Sequence, residues 1–350
     1  ATLVVDGGSG LTRAGTAGAD GPSEIFPSVV GPAESPTSPI VRGVVSDWDA
    51  MEELWNTIYT KTGVDSKSTP VLFADSPTTL DKDRARMAEL LFEKFETPSY
   101  FVGSQPVLSL YSAGRTSGLV VDIGYGITHT MAVHEGFAFP HTIGQLELGG
   151  DDLARNVVEL LDDRGIELEG AEGHAVADGV VREYGRIAQD YAAEAFALRA
   201  KPAEAPRYTL PDGTEIQLES EHIRCTEALF QPALAGCRGQ GLTEMLWDII
   251  EVCDADREGG PMRTLTQFVL MAGGGSMFPG LEERLGKELD ARSKIPRDIY
   301  ITAMPSAERH HAAWIGGSLL ASLPLFADNN FVQRAEFLEE GATAIHKRCV

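Results

Sequence analysis

Cysteine is the first shortage: the 350-residue chain has four, Cys225, Cys237, Cys253 and Cys349, and no two form a C-x-x-C pair. That spacing offers no zinc ribbon and no disulfide framework, so a reducing compartment fits. Basic charge is the second shortage. Against 52 Asp and Glu stand 29 Lys and Arg, a formal charge of −23. A phosphate backbone or an anionic membrane repels such a surface, so no nucleic-acid partner is expected. Long apolar runs are missing as well, and none approaches the ~18–20 residues of a membrane span. No charged stretch leading into an apolar one precedes the first strand, so no leader is expected, and the cytoplasm is the expected location. What the chain does have is an ordinary hydrophobic share of 43% and 37 glycines, the mark of many tight turns. Its length exceeds one small core and points to two domains or two lobes of one fold.

Some of those glycines fall in a repeated pattern. VVDGGSG at 4–10 returns, altered, as VVDIGYG at 120–126. Each copy has two β-branched residues, an aspartate and then glycines two apart. Glycine lets backbone N–H groups turn toward a concave space with no Cβ in the way. Successive N–H groups in such a turn form an anion nest, to which the Ser9 hydroxyl adds a donor. Asp6 and Asp122, at the strand ends, would face a metal that neutralises phosphates. Mg²⁺ gives up its water reluctantly, so these carboxylates would hold its waters rather than replace them. A single copy reads more readily as a tight β-turn. Two matching copies point to a nucleoside triphosphate gripped from two sides. A third glycine stretch, VLMAGGGSMFPG at 269–280, follows a buried-type strand and would let a base or ribose lie against bare backbone.

Along the chain, strand and helix patterns alternate. TLVVDGGSGLTRAG reads as strand, turn, strand. The segment 39–63 holds a helix with Trp48, Met51, Leu54, Trp55 and Ile58 on one face, stopped near Gly63. PVLFAD is a strand, KDRARMAELLFEKF an amphipathic helix, YFVGSQ a strand, and PVLSLYSAG a helix with Pro106 in its first turn. A second strand–turn–strand follows at 118–136, then a helix from residue 151 with Asp151 as its cap. Residues 172–200 read as helix, RYTLPDGTEIQL as a hairpin, 219–256 as two helices, 298–304 as a strand and 308–323 as a last long helix before a polar tail. The class is α/β with mostly parallel central sheets.

Beyond these patterns the residues resemble actin. FPSVVG (26–31), SDWDAMEELW (46–55), VLSLYSAGRTSG (107–118), GITHTMAVHEGFAFPH (126–141), TLPDG (209–213), LFQP (229–232), GGGSMFPGLEERL (273–285), WIGGSLLASL (314–323) and HKRCV (346–350) run in that family's order. The resemblance implies an actin-like ATPase fold: two lobes, each a five-stranded mixed sheet flanked by helices, with a nucleotide cleft between them. Residues 1–112 with 312–350 would form one lobe, 29–41 its vestigial outer part. Residues 113–311 would form the other, 149–237 its outer part. It implies ATP or ADP with Mg²⁺ or Ca²⁺. Gly8, Ser9, Gly10, Leu11 and Arg13 match the first phosphate loop, with Arg13 replacing a lysine and offering a fork of donors. Gly124, Tyr125, Gly126 and Ile127 match the second. Asp6, Gln105 and Asp122 match the residues around the metal's waters, and Gly150, Gly273, Gly274 and Met277 part of the adenosine pocket. His310 stands where a lysine lies near the purine. Because adjacent helical histidines point apart, His310 and His311 are not expected to share a metal.

Gln105 and His129 match the residues that position the attacking water. Read from the residues alone, Gln105 is either such an amide or a helix cap, and His129 shares a strand face with Ile127, Met131 and Val133 like a core histidine. Phosphoryl transfer to water asks for positioning more than covalent help, and with no strong base nearby hydrolysis should be slow, a timer.

The family pattern is broken between FPSVVG and SDWD. Where actin carries an outer subdomain with the DNase-binding loop, a main subunit contact, this chain has only PAESPTSPIVRGVV, too short and turn-prone for strands and a helix of its own. Tyr125 replaces an aspartate that contacts the ribose. Gly185 and Arg186 fall near where a lysine–glutamate pair meets adenine, and Thr79 and Gln145 replace the pair at the phosphate exit. The segment LFQPALAGCRGQGLTE is less apolar than actin's inter-strand plug. Two readings follow. The chain is a slow ATPase of the cytoskeleton that self-associates into filaments or oligomers by a modified contact and admits partners of the actin-binding kind. Alternatively, it is a non-polymerising scaffold with structural ATP. A metabolic kinase on the same fold is disfavoured by the actin-like segments.

Overall fold

The computed structural model describes residues 1–32, 34–210, 212–256, 260–293 and 299–348. Cys349 and Val350 of the HKRCV tail, Pro211 of TLPDG, Ala33 of the shortened segment and Asp298 of the strand expected at 298–304 lie outside them. The chain divides into two compact units. One comprises Ala1–Val120, Met131–Ile143 and Ala303–Val350, and the other Val121–Thr130 and Gly144–Thr302.

The first unit begins with β1 (Leu3–Gly7), β2 (Leu11–Thr16) and β3 (Glu24–Pro27), then β4 (Ile40–Val41) and β5 (Val44–Val45). Helix α1 (Trp48–Thr62), β6 (Val71–Asp75), α2 (Asp81–Glu89), β7 (Ser99–Ser104) and α3 (Gln105–Ser112) follow. β1 runs parallel to β6, and β6 parallel to β7, while β2 and β3 add antiparallel on the other side. Side chains alternate along a strand, so neighbouring residues of β6 report on opposite faces. Phe73 meets Trp55 of α1 at 5.9 Å between ring centroids. Leu72 lies on the opposite face, against the later helix that carries Gly317. The buried α1 residues Met51, Leu54, Trp55 and Ile58 are those of the expected face, and Gly63 ends the helix at φ 65°. Trp48 is only half-buried, under Arg86, whose guanidinium carbon lies 4.8 Å from its ring.

The middle of the chain supplies β8 (Gly118–Ile123), β9 (Thr128–His134), β10 (Phe137–Ala138) and β11 (Gly144–Leu146). The division into units falls inside β8 and β9. The second unit continues with α4 (Gly150–Asp162), α5 (Gly170–Tyr184), α6 (Tyr191–Ala200), the hairpin β12 (Arg207–Thr209) and β13 (Glu215–Gln217), α7 (Glu221–Glu227), α8 (Leu242–Asp254), β14 (Phe268–Ala272), α9 (Leu281–Arg292) and β15 (Tyr300–Ala303). The second sheet has the order β10-β9-β8-β14-β15, with β11 on β9. Arg284 of α9 ties this unit together: Nη2 pairs with the buried Glu227 at 3.0 Å, Nη1 donates to the Ala188 carbonyl at 2.5 Å, and the guanidinium covers Phe230.

The chain ends with α10 (Ser306–Arg309), α11 (Ala312–Ala321), α12 (Pro324–Asn330), β16 (Val332–Gln333), α13 (Arg334–Glu340) and α14 (Ala342–Arg348). The last stretch is therefore no polar tail. β16 pairs antiparallel with β7, Val332 beside Tyr100, and becomes the edge of the first sheet. Phe331, Val332, Phe337 and Ile345 are buried, with Phe337 4.9 Å from Phe92. These apolar residues are spaced among charged ones, so composition hides them, and only the waiting edge of β7 gives them a place. With β16 and β11 counted, each sheet has six strands rather than five.

Three helices differ from expectation. The helix over 172–200 is two, because Gly185 leaves the helical region at ψ 126° and Asp190 starts a new helix by accepting from the Ala193 amide. The helix over 308–323 breaks at His310–His311. α4 is capped from Asp152 rather than Asp151: its carboxylate accepts from the Gly149 amide at 2.9 Å. Among the described residues no helix is long and apolar enough to cross a membrane.

The tightest packing lies where α11 crosses α3. A Cβ on Gly316 would stand 1.7 Å from the Leu108 carbonyl oxygen, whereas one on Gly286, within α9, would meet only Ile301 at an ordinary 3.6 Å. The same substitution should therefore have opposite signs. Gly316→Ala is expected to cost about 3 kcal/mol or more, or to abolish folding, through a clash with backbone that cannot yield. Gly286→Ala should stabilise by roughly 0.5–1 kcal/mol by stiffening the unfolded chain. Denaturant unfolding of the two variants checks both.

Candidate functional site

In the first unit the candidate residues are built on the β1–β2 hairpin. Asp6 pairs across it with Arg13, and the turn Gly8–Leu11 is closed by the Gly8 amide donating to the Leu11 carbonyl at 3.2 Å. A Cβ on Gly8 would stand 3.1 Å from that same oxygen, and one on Gly7 2.9 Å from the Phe73 ring. Asp6 is 5% exposed, and its two oxygens are shared out: Oδ2 accepts from Arg13 Nη1 at 3.2 Å and Oδ1 from Gln105 Nε2 at 2.8 Å. Gln105 opens α3 at the C-terminal end of β7, the edge of a parallel sheet where α/β ligands bind. Arg13 Nε donates to Nδ1 of His311 at 3.2 Å. Burial, the neighbouring His310 and the Arg13 charge push the His311 pKa down to about 4. The ring is then neutral at ordinary pH and keeps the lone pair that accepts this bond.

Ser9 takes part in a contact that sequence reasoning missed. Its hydroxyl oxygen accepts from the Gly43 amide at 3.0 Å. Gly43 belongs to the two-residue turn between β4 and β5, where Arg42 has φ 49° and Gly43 φ 77°. Both angles lie in the left-handed region that a primed hairpin turn demands. The shortened segment is therefore not wholly irregular: it keeps this ribbon and a bridge between Val30 and Thr37. The available signal was an Arg-Gly pair flanked by valines, a weaker cue than Asn-Gly.

In the second unit the candidate residues lie at the tip joining β8 to β9. The Gly124 amide donates to the Ile127 carbonyl at 2.9 Å, and a Cβ on Gly124 would stand 2.9 Å from that oxygen. Hydrogen bond and obstruction are those of Gly8 and Leu11, repeated. The start of α4 rests on this tip: Gly150 N–H donates to the Gly124 carbonyl at 3.1 Å and Asp151 N–H to the Tyr125 carbonyl at 2.8 Å. A Cβ on Gly149 would lie 2.4 Å from the Tyr125 carbonyl oxygen. The Tyr125 phenol is hydrogen-bonded to the Asp151 carboxylate, and burial first, then that charge, raise its pKa. Behind the tip, Gly273 at φ 79° packs on Asp122 and Ile123, its missing Cβ 2.4 Å from Asp122 Oδ1. A Cβ on Gly274 would meet nothing within 4 Å, and Met277 is 41% exposed. Gly185 is packed so closely on Phe278 that a Cβ would stand 2.9 Å from its ring, and Arg186 turns away to pair with Glu194.

His129 is buried on β9 opposite Gln145 of β11. Burial pushes its pKa down to about 4. His310 and His311 do not point apart: their rings lie 3.7 Å between centroids, because the helix breaks between Arg309 and Ala312.

The first unit thus brings together Asp6, Gly8, Ser9, Gly10, Leu11, Arg13 and Gln105, with His310 reaching them through His311. The second brings together Asp122, Gly124, Tyr125, Gly126, Ile127, Gly150, Gly273 and Gly274, with His129 two residues beyond the tip and Met277 at the end of the glycine turn. The residues fit a polyphosphate on the evidence of two cradles that a Cβ would obstruct, a serine hydroxyl and an arginine beside the first. They fit a divalent cation only through its waters. Both Asp6 oxygens are engaged, and no three His, Cys, Asp or Glu side chains converge among the described residues.

Comparison with known proteins gives one family. The model described as Actin matches residues 32–172 and 175–350.

The low His129 value carries a stability prediction. The unfolded histidine, near 6.5, takes up a proton that the native one refuses until about pH 4. Stability contributed by the neutral ring is fully present above pH 6.5 and is lost as pH falls toward 4, by at most about 3 kcal/mol. His311 acts in the same direction, less strongly because it is only half-buried. Urea unfolding between pH 7.5 and 4.5 should show this decline, and His129→Gln should flatten it.

Proposed function

The chain belongs to the actin family, and from that premise we propose that it is an ATP-binding, slowly ATP-hydrolysing, actin-like cytoskeletal protein of the cytoplasm that assembles by a modified subunit contact. The observation that carries this reading is the pair of hairpins with one geometry, the amides of Gly8 and Gly124 closing onto Leu11 and Ile127. A polyphosphate is the ligand that calls for two such turns, each with an aspartate at its strand end. Mg²⁺, or Ca²⁺, would neutralise the phosphates when bound, its waters held by Asp6, Asp122 and Gln105.

The residues of this chain have distinct parts in that function. Ser9 and Arg13 bind phosphate beside the first hairpin, and Gly124, Tyr125, Gly126 and Ile127 at the second. Gly150, Gly273, Gly274, Met277 and His310 take the nucleoside. Gln105 already gives its amide N–H to Asp6, which fixes the side chain and leaves its carbonyl oxygen to orient a water. His129, neutral by burial, can hold that water by one hydrogen bond but cannot carry positive charge at neutral pH. Neither is a strong base, in keeping with slow turnover. Gln105→Ala should slow hydrolysis by roughly one to two orders of magnitude while leaving ATP binding largely intact. Single-turnover phosphate release, measured beside ATP affinity, checks this, and a variant that no longer binds ATP removes the assigned role.

A second reading is favoured by one observation: among its described residues the segment 29–41 holds only a bridge and the first strand of a two-residue ribbon. An actin-family chain lacking that contact would serve as a non-polymerising scaffold holding ATP as a structural ligand. Sedimentation with bound-nucleotide analysis separates the two. Assembly should appear with ATP and Mg²⁺, and more strongly at higher salt or divalent cation, because screening relieves repulsion between subunits of charge −23. A monomer at every salt tried, with tightly held and unhydrolysed ATP, supports the scaffold.

A further inference from the structure

The family reading gives Arg13 to the phosphates but assigns nothing to His311, the residue on which Arg13 rests. We propose that His311 is a positioning residue that fixes the Arg13 guanidinium for the polyphosphate of the first hairpin, an inference that rests on the nucleotide reading above.

Arg13 uses two different nitrogens, Nε on His311 Nδ1 at 3.2 Å and Nη1 on Asp6 Oδ2 at 3.2 Å, with the Leu11 carbonyl a longer 3.5 Å from that same Nη1. One bond would leave the planar group free to swing, whereas two from different nitrogens fix its position and its plane. Both anchors trace back to one strand. Asp6 is part of β1, and α11, which begins just after His311, is bonded to β1 through Trp314 Nε1 donating to the Val4 carbonyl at 3.0 Å. Gln105 holds the other Asp6 oxygen at 2.8 Å, so the anchor on that side is itself anchored. On the far side the His311 ring lies against His310, 3.7 Å between centroids. The chemistry also fits the residue type. Only a neutral imidazole can accept from a guanidinium, and burial, with the neighbouring His310 and the Arg13 charge, keeps His311 neutral. A lysine at position 13 presents one rotatable nitrogen and has no planar fork for two bonds to hold in orientation.

A guanidinium held in place beforehand binds an anion without the ordering cost that a loose one incurs. The test uses the full chain stripped of nucleotide, with ATP and Mg²⁺ as probes, in wild type, His311→Phe, His311→Gln, Arg13→Lys and the His311→Phe/Arg13→Lys pair. Phenylalanine keeps the ring beside His310 and removes the acceptor. It should weaken ATP binding roughly tenfold, the scale of a hydrogen bond to a charged group. Glutamine supplies an acceptor oxygen and should restore most of the loss. The double variant should be no weaker than Arg13→Lys alone, because both changes break one link.

Nitrogen NMR of the imidazoles in the nucleotide-free protein gives a readout independent of ATP. His311 should carry its proton on Nε2, and its Nδ1 resonance should move in Arg13→Lys. Unchanged affinity in His311→Phe, strictly additive losses, or glutamine as poor as phenylalanine each overturns the inference. So does an Nδ1 resonance indifferent to residue 13. A wild type that shows the expected Nδ1 signal but binds no ATP sinks the nucleotide reading itself and reduces the His311 bond to a structural tie. Normal ATP binding in every variant sinks only the role of His311.

Discussion

Two carbonyl oxygens, those of Leu11 and Ile127, set the terms for the rest of the site. Each accepts the amide of a glycine three residues earlier, and each stands about 3 Å from where a Cβ on that glycine would be. That constraint bends the chain sharply at the end of a strand, just after an aspartate. The bend leaves the following N–H groups to be directed by backbone rather than by side chains, which suits a ligand made of charged oxygens. Family membership and local geometry agree here for a physical reason. A Cβ at either glycine would crowd the oxygen that closes the turn.

Around the first turn the polar groups are bonded to one another. His311, Arg13, Asp6 and Gln105 form a continuous run of hydrogen bonds, and Ser9 is joined to the ribbon turn at Gly43. Buried charge tolerates such surroundings only when partnered, and Asp6, at 5% exposure with both oxygens engaged, meets that condition. Around the second turn the support is mainly backbone and shape. Gly149 and Gly150 lie on the tip, Gly273 on Asp122, and the Tyr125 phenol is held by Asp151. The two turns, one in each unit, thus reach similar geometry by different means of support.

The segment between β3 and α1 has a structural place that its composition hides. Its remaining ribbon turns through Arg42 and Gly43, both at positive φ, and gives the Gly43 amide to Ser9. A stretch that looks like a loop by its prolines and serines thus retains a structural duty at the first hairpin. The proposal of a modified subunit contact follows from what the stretch no longer contains. The hairpin contact shows that what it retains is not arbitrary.

The amino-acid sequence by itself determined the α/β class, the actin resemblance, the repeated aspartate–glycine turns, the buried face of α1 and its stop at Gly63. These depend on spacing and on glycine's conformational freedom, both local properties. The register that places Asp6 beside Arg13 follows from a short hairpin and was also within reach. Tertiary structure alone decided the rest. Gln105 and Asp6 are 99 residues apart, and Arg13 and His311 are 298 apart, so no local rule pairs them. The final residues read as a polar tail because their apolar side chains are scattered, and they became β16 and its flanking helices only because β7 offered an edge. Hydrogen bonds between distant segments depend on where the whole chain puts them, and a local pattern carries no record of that.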